Sequence, residues 1–165
     1  MSRRIISQVF TLLHVDYVTL GKTWNYRNVL SPYYRMYYID KGIGRVSDMR
    51  SAVQLEPGFL YLIPSFTLCN LECETILGQY FIHFFEDTVD GMSLFQNRRT
   101  LLQIAASSLD IAAFKRLLEI NPFRKINRSD NPLVYEKNIY YRNMKILTVN
   151  RIMPCLWKLR GFFCN

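Results

Sequence analysis

From Tyr17 to about Phe85 the apolar residues come in short runs, rich in aromatic and β-branched side chains and cut by Gly, Pro, Asn and Asp at short intervals. That pattern predicts consecutive β-strands, with the residues before Tyr17 as a strand lead-in. In YYRMYYI a period of two puts Tyr33, Arg35, Tyr37 and Ile39 on one face and Tyr34, Met36 and Tyr38 on the other. GQYFIHFF divides the same way, with Phe81, His83 and Phe85 opposite Tyr80, Ile82 and Phe84. Between the runs, Asp-Lys-Gly-Ile-Gly (40–44) predicts a turn into the next strand. Glu56-Pro57-Gly58 carries type II turn chemistry, because proline fixes φ and glycine is free to take φ > 0. FLYLI after it is a strand ended by Pro64. Many short strands punctuated in this way predict a sandwich or barrel that can close on itself and shelter a ligand.

Beyond Asp87 the period changes. Met92–Asn97 predicts a short helical turn and Thr100–Ala106 a last strand. Ser107 or Ser108 is then a suitable N-cap, Asp110 suits the first turn, and Leu109, Ala113, Leu117 and Ile120 recur at helical spacing until Asn121-Pro122 stops the run. Residues 127–132 predict a loop, and 134–150 resume a helical period through Ile139, Tyr140, Met144 and Leu147. The expected class is α+β, an antiparallel β-barrel over 1–106 followed by an α-helical hairpin over 107–150 and an atypical basic and apolar tail over 151–165.

Composition narrows this picture. A chain of 165 residues, 50% hydrophobic and 15% aromatic, suits one compact domain with a sizeable core. The first twenty residues show no small-residue cleavage site, and charges or turn residues break every apolar run short of a membrane span, so a soluble, cytoplasmic protein without membrane partners is expected. The net charge of +8 is unevenly placed: residues 1–90 carry a net −1 and residues 91–165 a net +9. Arg142, Lys145, Arg151, Lys158 and Arg160 follow residue 140 with no acid among them, which leaves open a nucleic-acid-binding second half as an alternative to a solvated helix face.

The four cysteines, Cys69, Cys73, Cys155 and Cys164, are too sparse for a disulfide scaffold, and reduced thiols are expected. On an extended strand Cys69 and Cys73 would stand about 13 Å apart, too far to share a metal or a disulfide. The two glycines of DKGIG lack the third glycine and the helix start that a phosphate-binding loop needs. With two histidines and no serine or cysteine in a catalytic motif, no hydrolase constellation can be assembled, and the chain is not expected to be an enzyme.

The succession WNYRNVLSPYYRMYYIDKGIG, LEPGFLYLIPSFTLCNLEC, GQYFIHFFED and LDIAAFKRLLEINPFRK resembles the N-terminal effector-binding domain of AraC-type transcriptional regulators over roughly residues 20–145. The resemblance implies a cupin-like, jelly-roll type barrel around a pocket for a small effector, usually a sugar or another metabolite. It also implies a helical hairpin that forms a homodimer, here through Leu109, Ala113, Leu117 and Ile120.

Three departures qualify it. Such regulators continue into a DNA-binding domain with two helix-turn-helix units, for which 165 residues leave no room, so sequence-specific DNA binding is not expected of this chain alone. The tail after residue 147 is unlike a dimerisation helix, because Pro154 interrupts it. Cys69 stands where related regulators and cupins often place a histidine after the IPSFTL run. Metal cupins converge several histidines and a carboxylate on one ion, and with only His14 and His83 and no His-x-His pair, neither a metal nor any other cofactor is expected; a degenerate cupin enzyme is the remaining alternative.

The candidate ligand-binding residues are Trp24, Arg35, Tyr37, Cys69, Phe81 and His83. Each has a plainer reading. His83 between two phenylalanines is either a satisfied core residue or an interior hydrogen-bond donor to an effector. Arg35, alone among aromatics, either pairs with a carboxylate at the barrel rim or clamps an anionic or hydroxyl-rich ligand. Trp24 and Tyr37 would stack on a sugar face, though alternate aromatics are more often core. Cys69 as a redox thiol would need exposure and an adjacent cation, which its sequence neighbours do not supply.

Overall fold

The computed structural model describes residues 8–88, 93, 95, 99–122, 124–125 and 131–133. Nine strands precede one helix: β1 (Gln8–Gly21), β2 (Asn25–Val29), β3 (Tyr34–Gly42), β4 (Gly44–Ser47), β5 (Ala52–Leu55), β6 (Phe59–Ile63), β7 (Cys69–Glu72), β8 (Ile76–Thr88), β9 (Leu102–Ala105) and α1 (Ser108–Ile120). They form a five-stranded sheet ordered β1-β8-β3-β6-β9 and a four-stranded sheet ordered β2-β7-β4-β5, with every pair antiparallel. The first eight strands thus follow the order of a jelly roll, in which the chain keeps passing between two facing sheets, and β9 extends one edge.

Residues 40–44, expected as a turn into the next strand, are mostly strand themselves: β3 runs to Gly42 and β4 starts at Gly44 in the other sheet, so the chain crosses between the sheets at Ile43. The crossing needs Gly42, whose φ is 74° and whose absent Cβ would stand 1.9 Å from the Ile76 carbonyl oxygen. Pro57-Gly58 also joins the two sheets, and Gly58 takes the φ of 86° that the third position of a type II turn requires.

The two-residue period of β3 and β8 sorts their side chains into two cores. Tyr37, Ile39, Leu77 and Phe81 meet Trp24, Val29, Val46, Leu55, Cys69 and Leu71 between the sheets. Tyr34, Met36, Tyr38, Ile82 and Phe84 form the outer face of the five-stranded sheet, which Phe114 and Leu117 of α1 cover. Ser107 caps α1 in a capping box: its hydroxyl accepts from the Asp110 amide, and the Asp110 carboxylate accepts from the Ser107 amide at 2.8 Å.

The helix buries a different stripe from the one its leucines predict. Phe114 and Leu117 are buried and Ala113 packs beside them, whereas Leu109 is 58% and Ile120 52% exposed. Leu117 is therefore committed to the barrel and is not presented to a partner. The predicted second helix over 134–150 and the tail lie outside the described residues, as does most of the segment 92–97. Among the described residues no helix is long and apolar enough to cross a membrane.

Candidate functional site

The inward faces of β3 and β8 lie side by side, since the register sets Arg35 beside His83 and Tyr37 beside Phe81. On its other flank β3 pairs Arg35 with Ile63 and Tyr37 with Tyr61. Leu71 of β7 faces them from the opposite sheet, and Trp24 fills in from the β1–β2 connection. Trp24, Arg35, Tyr37, Leu71, Phe81 and His83 line a cavity of about 20 Å³, bordered also by Tyr33, Gln79 and Pro132, which is room for about one water.

The polar groups on this wall are deeply buried. Arg35 is 1% exposed, and its Nη2 donates to Cys69 Sγ at 3.1 Å, which ties β3 to β7 across the interior. Arg35 Nε and Nη1 have no hydrogen-bond partner, and neither does Oε1 of buried Gln79. The ion pairs among the described residues, Arg27–Glu72 and Arg116–Glu119, involve neither group. Burial works against the Arg35 cation, but Tyr37, Cys69 and Tyr33 around it favour the charged form and hold its pKa above the ordinary value. Burial in turn raises the Tyr37 phenol, with Arg35 pulling the other way.

His83 is stacked between Tyr33 (centroids 4.8 Å apart, 28° between planes) and Phe81 (4.8 Å, 36°). Its Nδ1 lies 3.3 Å from Nδ1 of His14. A β-bulge in β1 between Leu12 and His14 sets this up, because the extra residue brings His14 onto the inner face opposite His83. Both rings are held neutral: His14 is lowered to about 3 by burial and then by Arg124, and His83 is lowered well below 6.5 by burial, His14 and Arg35.

Trp24, Arg35, Tyr37, Phe81 and His83 therefore converge on one cavity, while Cys69 touches Arg35 behind it. The missing cation beside Cys69 is supplied by Arg35, which is 34 residues away in sequence; the thiol itself is only 1% exposed, so the exposure that redox chemistry needs is absent. His14, Tyr33, Gln79 and Pro132 escaped the sequence reading. Gln79 and Tyr33 do share the two-residue period with Phe81 and Arg35, and that signal was available. Cys69 and Cys73 are both free and buried. Among the described residues no three His, Cys, Asp or Glu side chains are grouped to hold a metal. Most of the basic second half lies outside the described residues.

No family model matches the chain, and no curated protein does. Among solved structures, ToxT from Vibrio cholerae O395 bound to (E)-4-(8-methylnaphthalen-1-yl)but-3-enoic acid is 17% identical with a TM-score of 0.44, over 93% of this chain and 64% of that one. Unsaturated fatty acid-bound ToxT from V. cholerae strain SCE256 gives 14% and 0.41 over 96% and 65%. An RmlC-like cupin family protein with a double-stranded β-helix fold from Methanocaldococcus jannaschii gives 15% and 0.38 over 50% and 84%. The chain spans less than two thirds of the length of the two ToxT chains. None of these likenesses bears on what the cavity takes.

Proposed function

We propose that this chain is the effector-binding part of an AraC-type transcriptional regulator: a non-catalytic jelly-roll barrel that takes one small polar metabolite, a sugar or an organic acid, between its sheets. The observation that carries the reading is the wall of buried polar groups with unmet hydrogen-bonding atoms, Arg35 and Gln79, on a single ring-lined cavity. A purely structural interior would be filled by apolar side chains, because each unsatisfied buried donor costs about 1–3 kcal/mol. The segment resemblance supplies the regulatory context.

The response would follow from linkage. A ligand in the cavity touches β3, β8 and β7 and also Pro132, in the stretch that follows α1. Differential affinity for two placements of that stretch is all that a signal toward an attached DNA-binding domain requires. Pairing of two copies through α1 would rest on Leu109 and Ile120, the exposed members of the predicted set.

A thermal-shift screen of the purified chain against neutral sugars, polyols and short organic acids tests the reading. Ligand at about a hundred times its Kd adds about 2.7 kcal/mol, which raises Tm by about 5–10 °C for a domain of this size. A chain that melts cooperatively and responds to no compound in the panel would overturn it.

A further inference from the structure

Resting on the ligand-binding reading above, the geometry points to the class of ligand: we infer that the cavity takes a small organic carboxylate whose negative charge is the missing counter-ion of Arg35. A guanidinium stays charged in proteins and carries five N–H donors. Arg35 is 1% exposed; its Nη2 donates to Cys69 Sγ, and Nε and Nη1 reach no acceptor.

Among the described residues no carboxylate fills that role. Asp110 is the one buried acid among the described residues, and its carboxylate belongs to the cap of α1. Glu72 faces Arg27, Glu86 binds Tyr34 and Ser93, and Asp87 binds Thr11. A desolvated cation without a counter-charge is among the costliest states an interior can hold. The same residue borders a void, and the atoms it leaves unmet are hydrogen-bond donors, which demand an acceptor. A water in the void would satisfy a donor and leave the charge uncompensated, whereas a carboxylate does both.

Gln79 defines the second end of the ligand. Its unmet Oε1 lies on the same cavity and accepts a hydrogen bond, so a hydroxyl or amide on the ligand has a place there. The pairing of Ile39 with Gln79 and of Arg35 with His83 puts the two anchors four residues apart along the strands. With about 20 Å³ of void between aromatic walls, the body of the ligand is as short as a carboxylate allows, and its entry displaces side chains that border the void.

The test is calorimetric titration and thermal shift of the full chain with acetate, glycolate and lactate against lactamide and glycerol, at constant ionic strength set with chloride. Carboxylates should bind and raise Tm, lactamide should bind at least about tenfold more weakly, and both Arg35→Met and Arg35→Gln should abolish the carboxylate response. Free Arg35→Met should melt no lower than the unligated parent, since it removes an uncompensated charge; should either variant fail to fold, Arg35→Lys, which keeps the charge, must retain a weakened carboxylate response. Lactamide binding as tightly as lactate, or a carboxylate response that survives Arg35→Met, would overturn the inference. If glycerol or lactamide binds and carboxylates do not, the ligand-binding reading stands and this one falls; if no compound binds, here or in the screen of sugars and polyols, both fall.

Discussion

Acidification should destabilise this barrel well above the range in which carboxylates titrate, because His14 and His83 are buried as neutral rings. The pKa of His14 is lowered from 6.5 to about 3, with burial as the main cause. A histidine whose folded pKa lies below its unfolded one contributes stability that is complete above about pH 6.5 and is lost as pH falls from there toward the folded value. The loss runs at about 1.4 kcal/mol per pH unit for each such group, so His14 alone forfeits about 2 kcal/mol by pH 5. His83 shifts in the same direction and faces His14 at 3.3 Å with Arg35 also near, so charging either ring is opposed by the other and by the guanidinium. His83 adds to this loss in the same direction, and the His14 share alone is a sizeable part of the roughly 5–15 kcal/mol that holds a domain together. Urea unfolding followed by circular dichroism at a series of pH values between about 7.5 and 5 measures the slope directly. Replacing one histidine, by His14→Gln or His83→Gln, should roughly halve that slope whatever it does to the absolute stability. Stability that stays flat from pH 7 to 5 and falls only where carboxylates protonate would refute the reasoning.

Two further substitutions probe the frame around the site. Gly42→Ala should cost more than about 3 kcal/mol, because the new Cβ meets the Ile76 carbonyl oxygen at 1.9 Å, whereas Gly58→Ala, with nothing within 4 Å, should cost only the about 1–2 kcal/mol of a left-handed backbone; urea midpoints of the two variants side by side check the contrast. Ser107→Ala should cost about 1 kcal/mol by removing the hydroxyl that accepts from the Asp110 amide, read as a lower urea midpoint with an unchanged slope against denaturant.

The strands and the helix start were legible because their causes are local. A period of two decides which side chains of β3 and β8 share a face whatever the rest of the chain does, and Ser107 with Asp110 signals its own cap. The course of the chain between elements was less legible. At Asp40–Gly44 two glycines announce a reversal, but whether the next strand pairs with the last or crosses to a facing sheet depends on β8, whose Ile76 lies against Gly42. Which side of the helix is buried was less legible for a related reason. The regular spacing of Leu109, Ala113, Leu117 and Ile120 marks one face, yet the residue that docks deepest is Phe114, whose ring lies near Tyr38 and Tyr80 of the sheet and turns Leu109 and Ile120 outward. Burial of one large ring outweighs several evenly spaced smaller groups.

For the site, the sequence could single out Arg35 as a cation among aromatics but could not say what meets it. Cys69, which accepts from its Nη2, is 34 residues away on the other sheet, and the His14–His83 contact spans 69 residues and depends on a bulge that shifts the parity of β1. The decisive property is a lack, and lacks are global. Acids close to Arg35 in sequence, such as Asp40 and Asp48, are turned elsewhere, Asp40 toward the Tyr17 hydroxyl and Asp48 toward the amides of its own turn. An arginine on one strand face can be read from seven letters; that no carboxylate among the described residues meets it, and that a void lies beside it, is a property of the strands together.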